Sequence, residues 1–215
     1  MEHDLFGDAP LPATQSLGEG AVVLRGRALR EVPTLLRALA DVIRAAPLRH
    51  MVTPRGLRMS VAMTNSGGLG WITDQRGYRY AALDPLSGRA WPKLPQAFLS
   101  LATEAAAEAG FAAFVPDACL VNRYAPGARL SLHQDKDERD FAQPIVSVSL
   151  GLSAVFLFGG FERSDPTQRI RVGHGDVVVW GGPARLRYHG VAPLAEGVHE
   201  AVGPFRVNLT LRRAG

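Results

Sequence analysis

Two stretches of the chain carry apolar residues at helical spacing. From Val32 to Ala46 they fall at Val32, Leu35, Leu36, Leu39, Val42, Ile43 and Ala46, the period of one helix face. Pro33 is tolerated in a first turn, and Pro47 ends the run. From Pro95 to Ala109 the form recurs, with Phe98, Leu101, Ala102 and Ala105 on one face and Gly110 as the stop. Between them, Arg49 to Trp91 is rich in Gly, Met and aromatics and has no long period. It reads as short strands and mobile loops. Residues 1–17 read as a loose tail.

From Ala118 the pattern becomes short β runs between Gly and Pro turns. They are Cys119–Tyr124, Leu130–Gln134, Ile145–Leu150, Val155–Phe158, Arg169–Val172, Val177–Trp180, Leu186–His189 and Phe205–Leu211. Short strands at this spacing predict a sandwich or barrel, mainly β with flanking helices (α+β). Strands do not alternate with helices, so a doubly wound parallel sheet is not expected.

Composition narrows the class. In 215 residues, 47% are hydrophobic and 20% charged, enough for one sizeable core and too apolar for wholesale disorder. The single cysteine, Cys119, excludes an internal disulfide and Cys-rich zinc sites. No apolar run approaches the ~18 residues of a membrane span, and the acidic, Pro-punctuated start lacks a signal-peptide core. A cytoplasmic monomer with no membrane partner is expected. Net charge is +4, almost all of the basic residues being Arg. Between Val42 and Thr103, eight basic residues face only Asp74 and Asp84, a bias that suits a polyanionic partner or a solvated face equally well.

Several chemistries lack their motifs. No Gly-rich loop leads into Gly-Lys-Ser/Thr, no Gly-x-Gly-x-x-Gly opens a helix, and no Gly-x-Ser-x-Gly or His-Glu-x-x-His occurs. What is present is His133-Gln-Asp135. In a strand, residues two apart share a face, so an imidazole and a carboxylate converge there. Of the remaining histidines, His3 lies in the tail, His50 at a helix end, and His174 and His199 in turns. His189 closes a predicted strand and is the choice for a third ligand. Two histidines and a carboxylate form the facial triad of non-haem Fe(II) oxygenases. His-x-Asp alone is a weak signal, because Asp135 also opens the charged run Asp-Lys-Asp-Glu-Arg-Asp of a typical surface loop.

The last strand alternates strictly. Arg206, Asn208, Thr210 and Arg212 share one face, and Val207, Leu209 and Leu211 the other. The polar face is either solvated or an anion site, since Arg grips carboxylates with a bidentate fork. Arg206 and Arg212 stand ~20 Å apart along a straight strand, longer than a small dicarboxylate. Either the strand bends or one Arg acts through another protein group.

Together these residues resemble a known family. Asn122-Arg-Tyr124-Ala-Pro-Gly-Ala, Leu132-His133-Gln134-Asp135-Lys136-Asp137, His189 and Arg206-x-Asn208-x-Thr210-x-Arg212 are similar to the AlkB family of Fe(II)/2-oxoglutarate-dependent alkylation-repair dioxygenases. So are Met51-Val-Thr53-Pro, Met59-Ser-Val-Ala-Met63-Thr-Asn, Gly70-Trp71 and Gly77-Tyr78. The resemblance implies a double-stranded β-helix (jelly-roll) core over 116–215, with helices and a nucleotide-recognition lid over 18–115. It implies iron on His133, Asp135 and His189, and 2-oxoglutarate on Asn122, Tyr124, Arg206, Asn208 and Arg212, with Arg206 on the carboxylate far from the metal. It implies that Trp71, Tyr78, Asp137 and Arg163 contact the damaged base or its strand. The co-substrates would be 2-oxoglutarate and O2. The activity would be oxidative demethylation of 1-methyladenine or 3-methylcytosine in single-stranded or flipped-out DNA, with RNA as the alternative. The segment Ala184-Arg-Leu-Arg-Tyr188 is more basic than the family pattern leads one to expect, which puts strand contacts or substrate preference in question.

The lid also reads from its residues. Met51, Met59, Met63, Trp71, Tyr78 and Tyr80 interleave with Arg49, Arg55, Arg58, Arg76 and Arg79. Aromatic faces stack on bases, arginines track phosphates, and thioethers adapt to varied shapes. Met59 and Met63 are expected in a pocket wall, Trp91 and Trp180 in the core. Two other readings stand beside this one: an iron hydroxylase acting on RNA or protein, and a non-catalytic jelly-roll binding module.

Overall fold

The computed structural model describes residues 13–215. The strands are β1 (Thr14–Gly18), β2 (Ala21–Leu24), β3 (Ala62–Gly67), β4 (Gly70–Asp74), β5 (Gly77–Ala81), β6 (Ala118–Tyr124), β7 (Leu130–His133), β8 (Ile145–Gly151), β9 (Ala154–Phe158), β10 (Gln168–Val172), β11 (Val177–Trp180), β12 (His189–Val191) and β13 (Arg206–Arg212). The helices are α1 (Val32–Ala45) and α2 (Gln96–Glu108). One sheet runs β1-β2-β11-β8-β13-β6-β3, a second β10-β9-β12-β7, and β4-β5 form a separate hairpin.

Strands β6 to β13 divide four and four between the two larger sheets, all neighbours antiparallel. This is a jelly roll. The N-terminal hairpin β1-β2 extends the larger sheet at one edge and β3 extends it at the other. The loose-tail expectation for 1–17 is therefore corrected. Thr14–Gly18 pairs with β2, and Leu17 is buried in the inter-sheet core; residues 1–12 lie outside the described residues. The stretch 49–91 is likewise more ordered than mobile loops. Met63 sits opposite both Asn122 of β6 and Arg49, so this stretch is continuous with the β core.

The helices cover the outer face of the larger sheet. Val32, Leu35, Leu39 and Val42 of α1 and Phe98, Leu101, Ala102 and Ala105 of α2 join one buried cluster with Val146, Val148, Leu150, Val207, Leu209 and Leu211. Burying one such Leu, Val or Phe contributes roughly 1.5–3 kcal/mol. Ala46, before Pro47, is extended, and Gly110 takes a positive φ of 93° after α2. A residue preceding Pro avoids the helical region, and Gly caps at low steric cost. Arg27, ahead of α1, bridges the start of that helix to α2: it lies 3.3 Å from Glu31 and donates to Glu104 at 2.8 Å and Glu108 at 2.5 Å.

The inner face of the same sheet opposes the smaller one, with Phe156, Phe158, Ile170, Val178, Trp180 and Val191 between them. Both faces of β13 are thus buried. Its apolar residues meet the helices, and its polar residues point into the space between the sheets. The solvated reading of that polar face is set aside.

One boundary moved. Leu186–Tyr188 is not a strand; it follows the short 3-10 turn Gly182–Ala184, Tyr188 exchanges backbone hydrogen bonds with Gly159 and Gly160, and His189 opens β12 rather than closing the preceding segment. Gly181-Gly182-Pro183 interrupts pairing, and Arg185 and Arg187 turn inward to protein partners. Gly190 follows, where a Cβ would lie 2.7 Å from the Leu130 carbonyl oxygen. Its missing side chain lets β12 close tightly on β7 beside the histidines.

Candidate active site

His133 ends β7 and His189 begins β12, and the two are paired in register. Their rings lie 4.5 Å apart. Asp135, just past β7, places Oδ1 3.6 Å from His133 Nε2 and Oδ2 3.7 Å from His189 Nε2. One ligand atom from each of the three residues falls within 4.8 Å of the others. His133 Nδ1 donates to the Ser131 carbonyl at 2.9 Å and His189 Nδ1 to the Arg187 carbonyl at 3.1 Å. Because both acceptors are carbonyls, both Nδ1 atoms carry a proton, and in the neutral rings both Nε2 lone pairs face Asp135. That is the tautomer a metal ligand needs.

Electrostatics suit a cation here. Burial and the neighbouring His133 lower the His189 pKa, favouring the neutral ring. Burial opposes ionisation of Asp135, but the Arg212 guanidinium and the two imidazoles hold its pKa well below the usual carboxylate range. Two neutral imidazoles and one carboxylate are the donor set of a non-haem Fe(II) site.

The triad lies in a cavity of about 710 Å³. Its inner wall is built by register. Arg206 of β13 sits opposite Tyr124, and Asn208 opposite Asn122, on β6. Asn208 Nδ2 donates to Ser147 Oγ at 2.8 Å, and Thr210 Oγ1 donates to Asn208 Oδ1 at 2.7 Å. Arg206 Nη2 donates to Ser149 Oγ at 3.0 Å, while its guanidinium lies over the Tyr124 ring at 5.0 Å. Its Nε and Nη1, and Asn122 Oδ1, are buried without a protein partner. Leaving such groups unmet costs about 1–3 kcal/mol each, more when charged, so this wall is built to receive a polar ligand. Burial pushes the Tyr124 hydroxyl up to about 12, the Arg206 guanidinium offsetting part of the effect. Tyr124 is therefore a neutral hydrogen-bond donor.

Arg212 is placed differently from Arg206. Its Nη2 and Nε both reach Asp135 Oδ2, at 2.5 and 2.9 Å, and Nε also lies 3.3 Å from Glu138 Oε1. Arg212 thus engages a protein carboxylate, while its side chain still lines the cavity.

At the mouth, Trp71 and Tyr78 stack with ring centroids 5.7 Å apart and planes inclined by 18°. Trp71 Nε1 donates to Asp137 Oδ2 at 2.8 Å. Tyr78 is 50% exposed. Arg163 lies over the Tyr188 ring at 5.6 Å and also lines the cavity. Met59 and Met63 form part of the wall as expected, Met63 fully buried. Trp91 is core; Trp180 is buried too, but it lines the cavity, its ring 4.9 Å from that of His189. The basic excess is partly neutralised: Arg49 pairs with Asp84, and Arg76 and Arg79 with Asp74. Among the described residues, Arg55, Arg58, Arg89 and Lys93 form no ion pair, and Arg58 borders the mouth.

Sequence reasoning missed Ser147, Ser149 and Glu138. The serines alternate with Val146 and Val148 on β8, a signal that could have marked a polar inner face. Glu138 was hidden in what reads as a solvated charged loop. The basic segment before His189 is corrected as well. Arg185 is buried against Glu138, and Arg187 donates to the Gly159 carbonyl and lies over Phe158. Both brace the site from within.

A jelly roll with a His-Asp-His triad and an unmatched arginine in its cavity defines the class of non-haem iron oxygenases that bind an anionic co-substrate. Comparison with known proteins is more specific. The family model described as 2OG-Fe(II) oxygenase superfamily matches residues 21–212. The alpha-ketoglutarate-dependent dioxygenase AlkB of Salmonella typhimurium is 59% identical, covering 98% of this chain and 97% of that protein. AlkB of Escherichia coli is 55% identical, covering 99% and 98%. The solved structure of OsALKBH1 superposes with a TM-score of 0.80 at 28% identity, covering 93% of this chain and 99% of that one. The chain belongs to the 2OG-Fe(II) oxygenase superfamily and, within it, to the AlkB family. It is an Fe(II)/2-oxoglutarate-dependent dioxygenase whose co-substrates are 2-oxoglutarate and O2.

Proposed function

We propose that the protein is a DNA repair enzyme that oxidatively demethylates N-alkylated bases such as 1-methyladenine and 3-methylcytosine. One observation carries this reading: an oxygenase triad lies in the same cavity whose mouth is a stacked Trp71–Tyr78 pair tied to an acid, Asp137. Aromatic faces take up bases, and a carboxylate favours a ring made cationic by alkylation. The likeness to AlkB dioxygenases along nearly the whole chain supports it.

In this reading His133, Asp135 and His189 hold Fe(II), which with 2-oxoglutarate and O2 supplies the oxidation of an N-methyl group whose product leaves as formaldehyde, alongside succinate and CO2. Arg206 pairs its free Nε and Nη1 with the 2-oxoglutarate carboxylate far from the metal. Tyr124 donates its hydroxyl proton to the same co-substrate, and Asn122 and Asn208 border it. Trp71 and Tyr78 grip the base, Met63 lines its slot, Asp137 faces its charge and Arg163 borders its strand. A base inside a duplex is out of reach, so the substrate is single-stranded or flipped out, and a lesion that cannot pair lowers that cost. Arg55 and Arg58 meet phosphates near the mouth.

The full reading includes a cytoplasmic monomer; the single cysteine, free and buried, suits a reducing compartment. No helix among the described residues is long and apolar enough to cross a membrane. The deciding experiment incubates the iron-loaded protein with methylated DNA and RNA oligonucleotides and measures formaldehyde. Release from methylated DNA that requires 2-oxoglutarate supports the reading; release from RNA alone replaces the substrate; none from either overturns it.

A further inference from the structure

Glu138 is the acid of the loop after Asp135 that faces inward, its side chain 2% exposed. Both of its oxygens are engaged. Oε1 accepts the Tyr80 hydroxyl at 2.7 Å and lies 3.3 Å from Arg212 Nε, and Oε2 accepts Arg185 Nη2 at 3.0 Å. Each of those guanidiniums also reaches Asp135. Arg212 holds its carboxylate oxygen Oδ2, and Arg185 Nη1 donates to its main-chain carbonyl at 2.7 Å. Two carboxylates and two guanidiniums therefore balance around the third member of the triad. Tyr80 brings in the hairpin β4-β5, where it is the cross-strand partner of Trp71. Since Trp71 bonds Asp137 and Tyr80 bonds Glu138, the hairpin clasps two successive acids of the loop that carries Asp135.

Buried ion pairs add little net stability, because desolvation offsets most of their attraction. Their effect here is directional. With Oδ2 held by Arg212 from one side, the Asp135 carboxylate cannot rotate freely and keeps Oδ1 on the His133 side, 3.6 Å from Nε2. If Glu138 lost its charge, two guanidiniums would face a divalent cation with only Asp135 between them.

We propose that Glu138 and Tyr80 are positioning residues for the metal centre: Glu138 fixes Arg212 and Arg185, these fix Asp135, and Tyr80 ties this arrangement to the hairpin that carries Trp71. The inference rests on Asp135 being a metal ligand. Neither residue lines the cavity that holds the triad.

The test is a titration of the apo full-length chain with Co(II) alone, read by visible d–d absorption, with melting temperature recorded for every variant. Loss of a partner that orients a ligand typically weakens metal binding about 10–100-fold. Glu138→Gln should weaken Co(II) by about tenfold or more and alter its spectrum. Tyr80→Phe should shift both in the same direction by less. Wild-type Co(II) affinity and spectrum in both overturn the inference. Should Glu138→Gln fail to fold, Tyr80→Phe decides alone, since it removes one hydroxyl, and wild-type behaviour in it overturns the inference. His133→Ala serves as the separate control. If it still binds Co(II) as the wild type does, the triad assignment itself is lost; if it does not, an unchanged Glu138→Gln removes the positioning role only.

Discussion

Trp71 donates its indole N–H to Asp137 Oδ2 at 2.8 Å while its ring stacks on Tyr78. One bond thus orients the aromatic mouth of the cavity and leaves the other carboxylate oxygen of Asp137 free. The lid and the metal loop are linked through side chains, so variants in either can be read separately only with the right measurements.

The first prediction concerns that mouth. Trp71→Ala or Tyr78→Ala should weaken binding of a methylated oligonucleotide by roughly 1–3 kcal/mol, the usual worth of a stacked base. Succinate formation without DNA should persist, because the triad and Arg206 sit on the jelly-roll strands. Melting temperature, DNA-free succinate and oligonucleotide affinity are measured on the same proteins; a parallel fall of all three would mean that the pair is merely a small core.

Replacing His133, Asp135 or His189 by Ala should abolish turnover; melting should change little for the two histidines, since an open catalytic metal site is not what holds up the core, but fall for Asp135→Ala, which strips the buried Arg212 of its closest carboxylate. Formaldehyde assays and thermal denaturation check this, and full activity in any of the three would remove that residue from the triad.

Arg206→Ala should raise the 2-oxoglutarate concentration needed for half-maximal turnover strongly. A desolvated carboxylate that loses a charge-assisted partner costs roughly 2–5 kcal/mol. Ser149→Ala, which removes only the hydroxyl beneath Arg206 Nη2, should have a much smaller effect. Equal titration curves for Arg206→Ala and the wild type would show that the free guanidinium nitrogens serve no ligand.

A pH effect is expected away from the site. His174 and His199 lie with ring centroids 4.2 Å apart, and His174 Nδ1 accepts the Gly151 N–H at 2.9 Å. Burial and the neighbouring His199 lower the His174 pKa. A histidine depressed in the fold contributes stability that is present above the unfolded value, about 6.5, and is lost as pH falls through the lower folded value. Melting temperature should therefore decline from pH 7 towards pH 5 more steeply in the wild type than in His174→Gln. Parallel pH curves for the two proteins would contradict this.

Much of this is legible in the sequence itself. Period-2 alternation placed the face of β13 that carries Arg206 and Asn208, because it follows from local geometry; the His-x-Asp spacing brought His133 and Asp135 together too, although β7 ends at His133 and Asp135 lies just past it. What escaped depended on long-range partners. Glu138 sits among charges that usually mean solvent, and it takes Arg185, 47 residues away, Tyr80, 58 residues away, and Arg212 on β13 to make it a buried group. The inward turn of Arg187 and the pairing of β1 are the same kind of fact. A strand this short, with exposed Thr14 and Ser16, has no apolar signature until its partner β2 is known.

The central position of β13, hydrogen-bonded on both edges and enclosed on both faces, also bears on how this gene can change. Inserting or deleting one codon within the strand would exchange its faces beyond that point. The guanidiniums would be driven against the helices and the aliphatic side chains into the cavity, so folding and chemistry would fail together. Substitutions can be sorted by parity, odd positions read out as thermal stability and even ones as activity, but length variation in these seven residues has no tolerated register to fall into.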